Sequence, residues 1–474
     1  MGMDEKMLQN VIFVHKMYLK ITFIKKKKYF CFKIEDKRNI MVSIDRICIG
    51  GFRNVDYSEI KLRQMTALLA PNNYGKSNIL DAVMFASSFV HGTPEMRRQL
   101  MRDFTCISIN SKIASEPFYC EIEGAFDSVY DYVYRFSFDW YQQSPNSSAA
   151  IEGKIIGEYL GIRDNSKEKP KYRTIVNRTR ESAKYDATGR CNKIIQISDD
   201  ELVMVKLSNI DSWAFMPVAK ELLGITISSV DIIADPKQHF LPRKMVTADG
   251  EQLVYDGFTQ YLYQLKQEDE RLFNVMISIL TTLVPTIQTV NPVRFSSELK
   301  KIDKDVPYEL PDLYDVYVKE SPNNQTTPFR FMSTGSMRIL FLLASVIHAS
   351  KRGVQILMVE ELENSIHPDL LQSLLNAIPM LLGDTKLLFT SHSTHLAKHL
   401  TYDQLYVGLP SDDGVADFRI LKQTKLKNVL KIAAAGEMAL GEYLFELMLS
   451  AEDDRRMIDV FFEEKPKRKG GLDD

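Results

Sequence analysis

The chain has 474 residues, enough to bury a large core without staples, and its 45% hydrophobic and 26% charged residues exclude wholesale disorder and a membrane bundle. Sixty Lys and Arg nearly balance 62 Asp and Glu, so there is no global basic field for nucleic acid or an anionic membrane, and any such contact has to be a local patch. Cys31, Cys48, Cys106, Cys120 and Cys191 show neither zinc nor disulfide spacing and read as reduced, buried thiols of a cytoplasmic protein.

Residues 1–40 carry ten Lys/Arg against four acidic residues and read either as a basic arm or as a non-native extension ahead of Met41. Their most apolar part, Met7 to Ile24, is interrupted by His15, Lys16 and Lys20, which argues against a signal or membrane-spanning segment. Alternation from Val42 predicts a first strand, and Thr66 to Leu69 a second. Ile79, Leu80, Val83, Met84 and Phe85 suit a buried helix, and Phe118–Phe126 with Asp131–Tyr141 a hairpin that closes a lobe over 41–141. The polar run 142–200 reads as a loop-rich insertion. Residues 201–300 read as a mainly helical arm or lid, with Phe258, Tyr261, Leu262 and Leu265 on one face and Phe273–Leu283 continuing until Pro285. A second lobe spans 301–400. The remainder, 401–474, holds a helical stretch at 426–449 and a basic tail, Lys465 to Lys469.

Four motifs carry chemistry. Residues 70–77, Ala-Pro-Asn-Asn-Tyr-Gly-Lys-Ser, fit a phosphate loop except that Ala70 replaces the first glycine. Such a loop needs a strand, a turn exposing backbone N–H groups, and a helix whose positive end faces the phosphates. Gly75 permits close approach, Lys76 reaches the terminal phosphates and Ser77 binds Mg²⁺; the alternative, for this motif alone, is a chance Gly-Lys-Ser in a helix cap. Residues 354–361, Val-Gln-Ile-Leu-Met-Val-Glu-Glu, form an apolar strand that delivers two carboxylates to a sheet edge. There Glu360 would hold the hydrated metal and Glu361 polarise the attacking water; the acids could instead cap the next helix, but that leaves the apolar strand unexplained. Ser333-Thr334-Gly335 opens an apolar helix and suits an anion, although Ser and Gly also cap helices generally. Lys386-Leu-Leu-Phe-Thr-Ser-His392 is another apolar strand, whose terminal His392 could bond a γ-phosphate or the attacking water.

Gly335 and Glu360 are 25 residues apart and Glu361 and His392 are 31 apart, one strand–helix unit in each case. In this order the motifs resemble the ABC-type ATPase head of the SMC, RecF and OLD families, over residues 41–100 and 325–400. The 257 residues from Lys76 to Ser333 suit heads that carry an inserted arm. Finer features, Phe52-Arg53-Asn54, Ser333-Thr334-Gly335 and Glu360-Glu361-Leu-Glu363-Asn-Ser-Ile-His367-Pro368, resemble the OLD-like AAA15/AAA21 group, and a head of this kind without its own nuclease resembles the stand-alone ATPase subunits of anti-phage systems such as PARIS.

The resemblance implies an α/β fold with a mixed or parallel sheet, an antiparallel strand subdomain and an inserted mainly helical arm or lid. It implies ATP and Mg²⁺, with Lys76, Glu361 and His392 catalytic, and Asn72, Asn73, Tyr74, Gly75, Lys76, Ser77, Asn78, Ser333 and Gly335 around the nucleotide. Ser77 and Glu360 are the expected metal ligands. Glu360 stands where the group usually has aspartate, which implies altered metal geometry and slow turnover, and the glutamine-loop position is open, with Gln142 or Gln143 as candidates. Partners implied are further copies in a homodimer or higher homo-oligomer, a separately encoded nuclease or toxin effector, and a DNA or phage-protein trigger, with no membrane. Only 82 residues follow His392, too few for an OLD-type nuclease domain, so the expected enzyme is an ATPase and not itself a nuclease. The alternative is a RecF-like DNA-binding ATPase of repair or recombination.

Overall fold

The computed structural model describes residues 42–468 except 111, 128, 144–149, 231–236, 238–239, 241, 248–249, 256, 296–312, 322–323, 412 and 450–459. The basic stretch 1–40, with Cys31, and Lys469 of the tail lie outside the described residues. The chain opens with an antiparallel hairpin that the alternation pattern does not separate from its flanks, β1 (Arg46–Phe52) and β2 (Val55–Lys61). The wholly buried β3 (Met65–Leu69) leads through the 70–75 loop into α1 (Lys76–His91). Thr93 caps α2 (Pro94–Met101), its hydroxyl accepting the Met96 N–H at 3.3 Å. The predicted hairpin follows as β4 (Phe118–Phe126) and β5 (Tyr130–Asp139).

Residues 142–200 correct the loop-rich expectation. After a short ribbon, β6 (Gln142–Gln143) with β7 (Ala150–Ile151), come β8 (Lys154–Asp164), β9 (Arg173–Arg178), β10 (Ala183–Asp186) and β11 (Cys191–Ile194). They extend the N-terminal strands into an eight-stranded antiparallel sheet, ordered β11-β10-β9-β8-β5-β4-β1-β2. Some of the charges that suggested solvent are paired within the fold, while those of the connecting turns stay exposed. Arg173 pairs with buried Asp186, Arg163 pairs with Asp131, and the Arg178 guanidinium donates to the Glu201 and Ser198 carbonyls.

The 201–300 segment is not an arm. It contains α3 (Val203–Leu207), α4 (Met216–Leu223), β12 (Ile227–Val230), a hairpin of β13 (Pro242–Thr247) and β14 (Gly250–Tyr255), then α5 (Gly257–Glu268), α6 (Glu270–Leu283) and β15 (Ile287–Phe295). The apolar stripe read as the face of an arm, including Phe258, Leu262, Phe273, Met276 and Leu280, lies in one core cluster with Leu340, Leu343 and Ile347. Burial of that stripe against the head holds the two helices down. β15 pairs with β16 (Leu313–Glu320), which pairs with β17 (Thr326–Pro328).

The remaining elements are α7 (Thr334–Lys351), β18 (Ile356–Val359), α8 (Pro368–Ala377), α9 (Pro379–Leu382), β19 (Lys386–Ser391), β20 (Leu405–Gly408), β21 (Phe418–Arg419), α10 (Leu426–Ala435) and α11 (Leu440–Leu449). A six-stranded sheet runs β12-β18-β19-β3-β20-β21, parallel except at β21. The head sheet therefore continues past residue 400, where a boundary was expected.

Each central strand of this sheet is buried on both faces, as parallel strands require. Leu357, Val359, Leu387, Phe389, Ala67 and Leu69 face the helical core of α5, α6 and α7. Ile356, Met358, Leu388 and Leu68 face the second core, which α1 shares with the antiparallel sheet. That core is aromatic: Phe89 stacks on Phe138 at 4.7 Å and on Phe136 at 5.2 Å, and the Trp140 indole donates to the Gly51 carbonyl at 2.9 Å. The fold is thus a mixed α/β head with a parallel sheet and an antiparallel sheet subdomain. No helix among the described residues is long and apolar enough to cross a membrane.

Candidate active site

Three neighbouring parallel strands end at one edge of the six-stranded sheet. β18 ends in Glu360 and Glu361, β19 in His392, and β3 in the 70–77 loop, with Val359 in register with Phe389 and Ser391 with Leu69. Motifs as far apart in sequence as Lys76 and His392 thereby meet at the carboxyl ends of adjacent strands, where α/β sheets bind ligands.

The loop is shaped for an anion. Asn73 (φ 68°) and Gly75 (φ 90°) are left-handed, and alternation of this kind turns successive backbone N–H groups toward one concavity. A Cβ at Gly75 would sit 2.9 Å from both the Ala416 Cβ and the Asn54 Oδ1, so only glycine fits there. No side chain caps α1, which leaves its first N–H groups for a ligand. Asn72, Asn73 and Ser77 are exposed. Lys76 is 7% exposed, and its ammonium donates to the Ala70 carbonyl at 2.7 Å and the Pro71 carbonyl at 2.9 Å. Burial lowers its pKa against the opposing pull of Glu361, Glu363 and Glu360.

Tyr74 and Asn78 brace the loop. The Tyr74 hydroxyl donates to the Met448 carbonyl of α11 at 2.8 Å, and the Asn78 amide donates to Asn54 Oδ1 at 2.7 Å. Arg53, also left-handed, donates to Asn78 Oδ1 at 3.0 Å and pairs with Asp81. The Phe-Arg-Asn run of the sequence is therefore the buttress of the loop.

The turn after β18 is fastened to the end of β19. The Glu361 N–H donates to the Thr390 hydroxyl at 2.9 Å, the Leu362 N–H to the Thr390 carbonyl at 3.2 Å, and the His392 N–H to Glu363 Oε1 at 2.8 Å. Glu361 itself sits at φ 45°, a conformation that costs a non-glycine residue roughly 1–3 kcal/mol and tends to gather where function requires it. Glu363 and Thr390 are site residues that the sequence motifs contain but do not single out. The next residues have local structural duties: His367 caps α8, its Nδ1 accepting the Asp369 N–H at 3.4 Å.

The signature turn lies on α7. The Ser333 hydroxyl accepts the Ser336 N–H at 3.1 Å, so Ser333 is the helix cap, and Ser333 and Thr334 remain exposed. A Cβ on Gly335 would lie 2.8 Å from the Ser365 carbonyl, and Arg338 donates to Asn364 and Ser365 at 2.6 Å each. The turn is thereby docked on the same 361–367 loop that carries Glu361. Gln142, a glutamine-loop candidate, is exposed on the β6–β7 ribbon, and nothing in its geometry distinguishes it.

The donors suit a magnesium nucleotide. Ser77 and Glu360 offer oxygen only, as a hard cation prefers, and the left-handed loop and uncapped α1 offer N–H groups to phosphate.

Residues 258–398 match a family described as "AAA domain, putative AbiEii toxin, Type IV TA system". That stretch holds the signature, both acids and His392, while the phosphate loop precedes it. No curated protein matches the sequence. Among solved structures, an SMC head bound to the C-winged helix domain of ScpA superposes with a TM-score of 0.38 at 12% identity, covering 81% of this chain and 99% of that one. The SMC head domain from Thermotoga maritima gives 0.33 at 9% identity, covering 78% and 96%. An SMC head with an extended coiled coil, bound to the C-terminal domain of ScpA from Pyrococcus furiosus, gives 0.34 at 13%, covering 83% and 100%.

Proposed function

We propose that this chain, which carries an ABC-type ATPase head with an AAA-family match over residues 258–398, hydrolyses ATP with Mg²⁺ and uses the cycle to control a separate effector in anti-phage defence. The observation that carries the ATPase reading is the convergence of the phosphate loop, two strand-end carboxylates and His392 on three adjacent strands. Ser77 and Glu360 would hold the metal, which when bound neutralises charge on the phosphates. Lys76 would exchange its two loop carbonyls for phosphate oxygens. Glu361 would polarise the attacking water, and the Ser333–Gly335 turn, with Ser333 and Thr334 exposed, would complete the site of a second copy, so that nucleotide drives assembly.

The effector role draws its support from the sequence resemblance and from the toxin–antitoxin description of the matched family. Two measurements test the reading. The purified chain should release phosphate from ATP only with a divalent metal, and protection of cells against phage should need both this chain and a companion protein. Metal-independent turnover, or protection by this chain alone, would refute the corresponding half of the reading.

One observation favours a second reading, a RecF-like DNA-binding ATPase. The β8–β9 and β10–β11 turns lie at one end of the antiparallel sheet and expose Lys169, Lys171 and Arg190, with Lys193 beside them. ATP-dependent DNA binding that weakens steeply with salt and on changing these four residues to alanine would establish it.

A further inference from the structure

We infer that Glu363 is a positioning residue that fixes the His392 ring for the hydrolytic step, so that turnover depends on a Glu363–His392 pair as well as on Glu361. The inference rests on the ATPase reading above. Glu363 Oε1 accepts the His392 backbone N–H at 2.8 Å and lies 3.3 Å from the Nδ1 of the same residue. The Glu363 side chain is only 10% exposed, and its Oε2 is buried without a hydrogen-bond partner among the described residues. The His392 side chain is 50% exposed and so open to a ligand.

Holding one backbone N–H does not require a buried charge. A neutral amide oxygen would do so without the desolvation cost of a carboxylate. What the charge adds is its effect on the ring. A neutral imidazole has one N–H donor and one acceptor nitrogen, and a carboxylate beside Nδ1 keeps the proton there. Nε2 is then left as the acceptor. An acceptor suits a water molecule and repels a phosphate oxygen, so the geometry assigns the neutral His392 to the attacking water and not to the γ-phosphate. The two bonds of Thr390 to the Glu361–Leu362 turn keep carboxylate and ring in step, because each sits on a strand end that the other strand holds.

The test compares the full chain with Glu363→Gln, Glu363→Ala, His392→Ala and the Glu363→Ala/His392→Ala double variant. Loss of the carboxylate partner that orients a metal-bound histidine typically costs about 10- to 100-fold in activity, and a loss of the same order is expected for this unmetallated pair. We expect kcat to fall by roughly that factor in Glu363→Ala, and also in Glu363→Gln, with KM changing less than about twofold. The double variant should be no slower than His392→Ala alone, because Glu363 acts through the ring. A fully additive loss, or an unchanged kcat in Glu363→Ala, would overturn the inference.

A second readout needs no turnover. Imidazole ¹⁵N spectra, assigned by the peak lost in His392→Ala, should show His392 protonated on Nδ1 in the wild type and shifted toward Nε2–H in Glu363→Gln. An Nε2–H ring in the wild type, or the same tautomer in both proteins, would sink the inference on its own. A wild-type chain that releases no phosphate refutes the ATPase reading instead, while the spectra still decide whether Glu363 sets the ring.

Discussion

At the scale of single residues, the site sets the buried Lys76 ammonium within the field of Glu361, Glu363 and Glu360. Lys76 is anchored by two loop carbonyls, and burial already disfavours its charge, so it is poised to gain from phosphate oxygens. Lys76→Ala removes charge-assisted bonds worth about 1.5–3 kcal/mol each. Its affinity for Mg·ATP should fall by roughly tenfold to a hundredfold or more, as titration calorimetry would measure. Wild-type affinity would dismiss the phosphate-loop assignment. At Glu361 the informative change is to glutamine, which has the same shape and the same burden at φ 45°, so the backbone strain is unchanged and only the charge is lost. Hydrolysis should drop by about 10²–10⁴-fold with nucleotide still bound, and associated species should accumulate in light scattering. Undiminished phosphate release would make Glu361 structural.

At the scale of elements, a buried carboxylate joins the added strands to the helices that follow. Glu158 on β8 is fully buried, accepts the Met204 N–H at 2.9 Å and the Tyr134 hydroxyl at 3.2 Å, and also takes the Val203 N–H. It serves as the missing cap of α3, and burial raises its pKa in spite of those donors. Glu158→Ala strands three donors at about 1–3 kcal/mol each, so the urea midpoint should fall by the equivalent of roughly 3 kcal/mol or more. A shift under about 1 kcal/mol would mean that the region relaxes or hydrates freely. Glu158 also shows why part of the fold was hidden in the sequence. The strands 154–194 read as loop because many of their charges are solvated, and only tertiary pairing, such as that of Arg173 with Asp186, marks the few that the folded sheet holds. β12, with two serines among its four residues, gives no periodic signal; its place beside β18 comes from the register Ile227 with Ile356. The phosphate loop and the strand into Glu360 were legible because their chemistry is local, an apolar run followed by the residues that need its end. Glu363 was not, since its meaning depends on a histidine 29 residues away.

At the scale of the whole molecule, the proposed reading assigns the acids placed at strand ends to the nucleotide. The purified chain is therefore expected to leave DNA and RNA intact with Mg²⁺ or Mn²⁺, since two-metal cleavage needs several further acids around a pair of ions about 3.5–4 Å apart. Cleavage that survives purification and follows this chain through gel filtration would reverse that expectation. The provenance of the six-stranded sheet has a different consequence, for how the protein comes into being. The antiparallel sheet draws all its strands from residues 46–194, so a nascent chain can complete it early. Among the described residues, the strand that feeds the phosphate loop has its neighbours at 386–391 and 405–408. At synthesis rates of about 5–20 residues per second, roughly 10–40 s separate the closing of the first sheet from the arrival of the last of those neighbours. Until residues 386–391 are made, β3 is an apolar strand with both backbone edges unpaired, which exposes the chain to mispairing. The capacity to bind nucleotide should therefore be absent from every translation product that ends before residue 408.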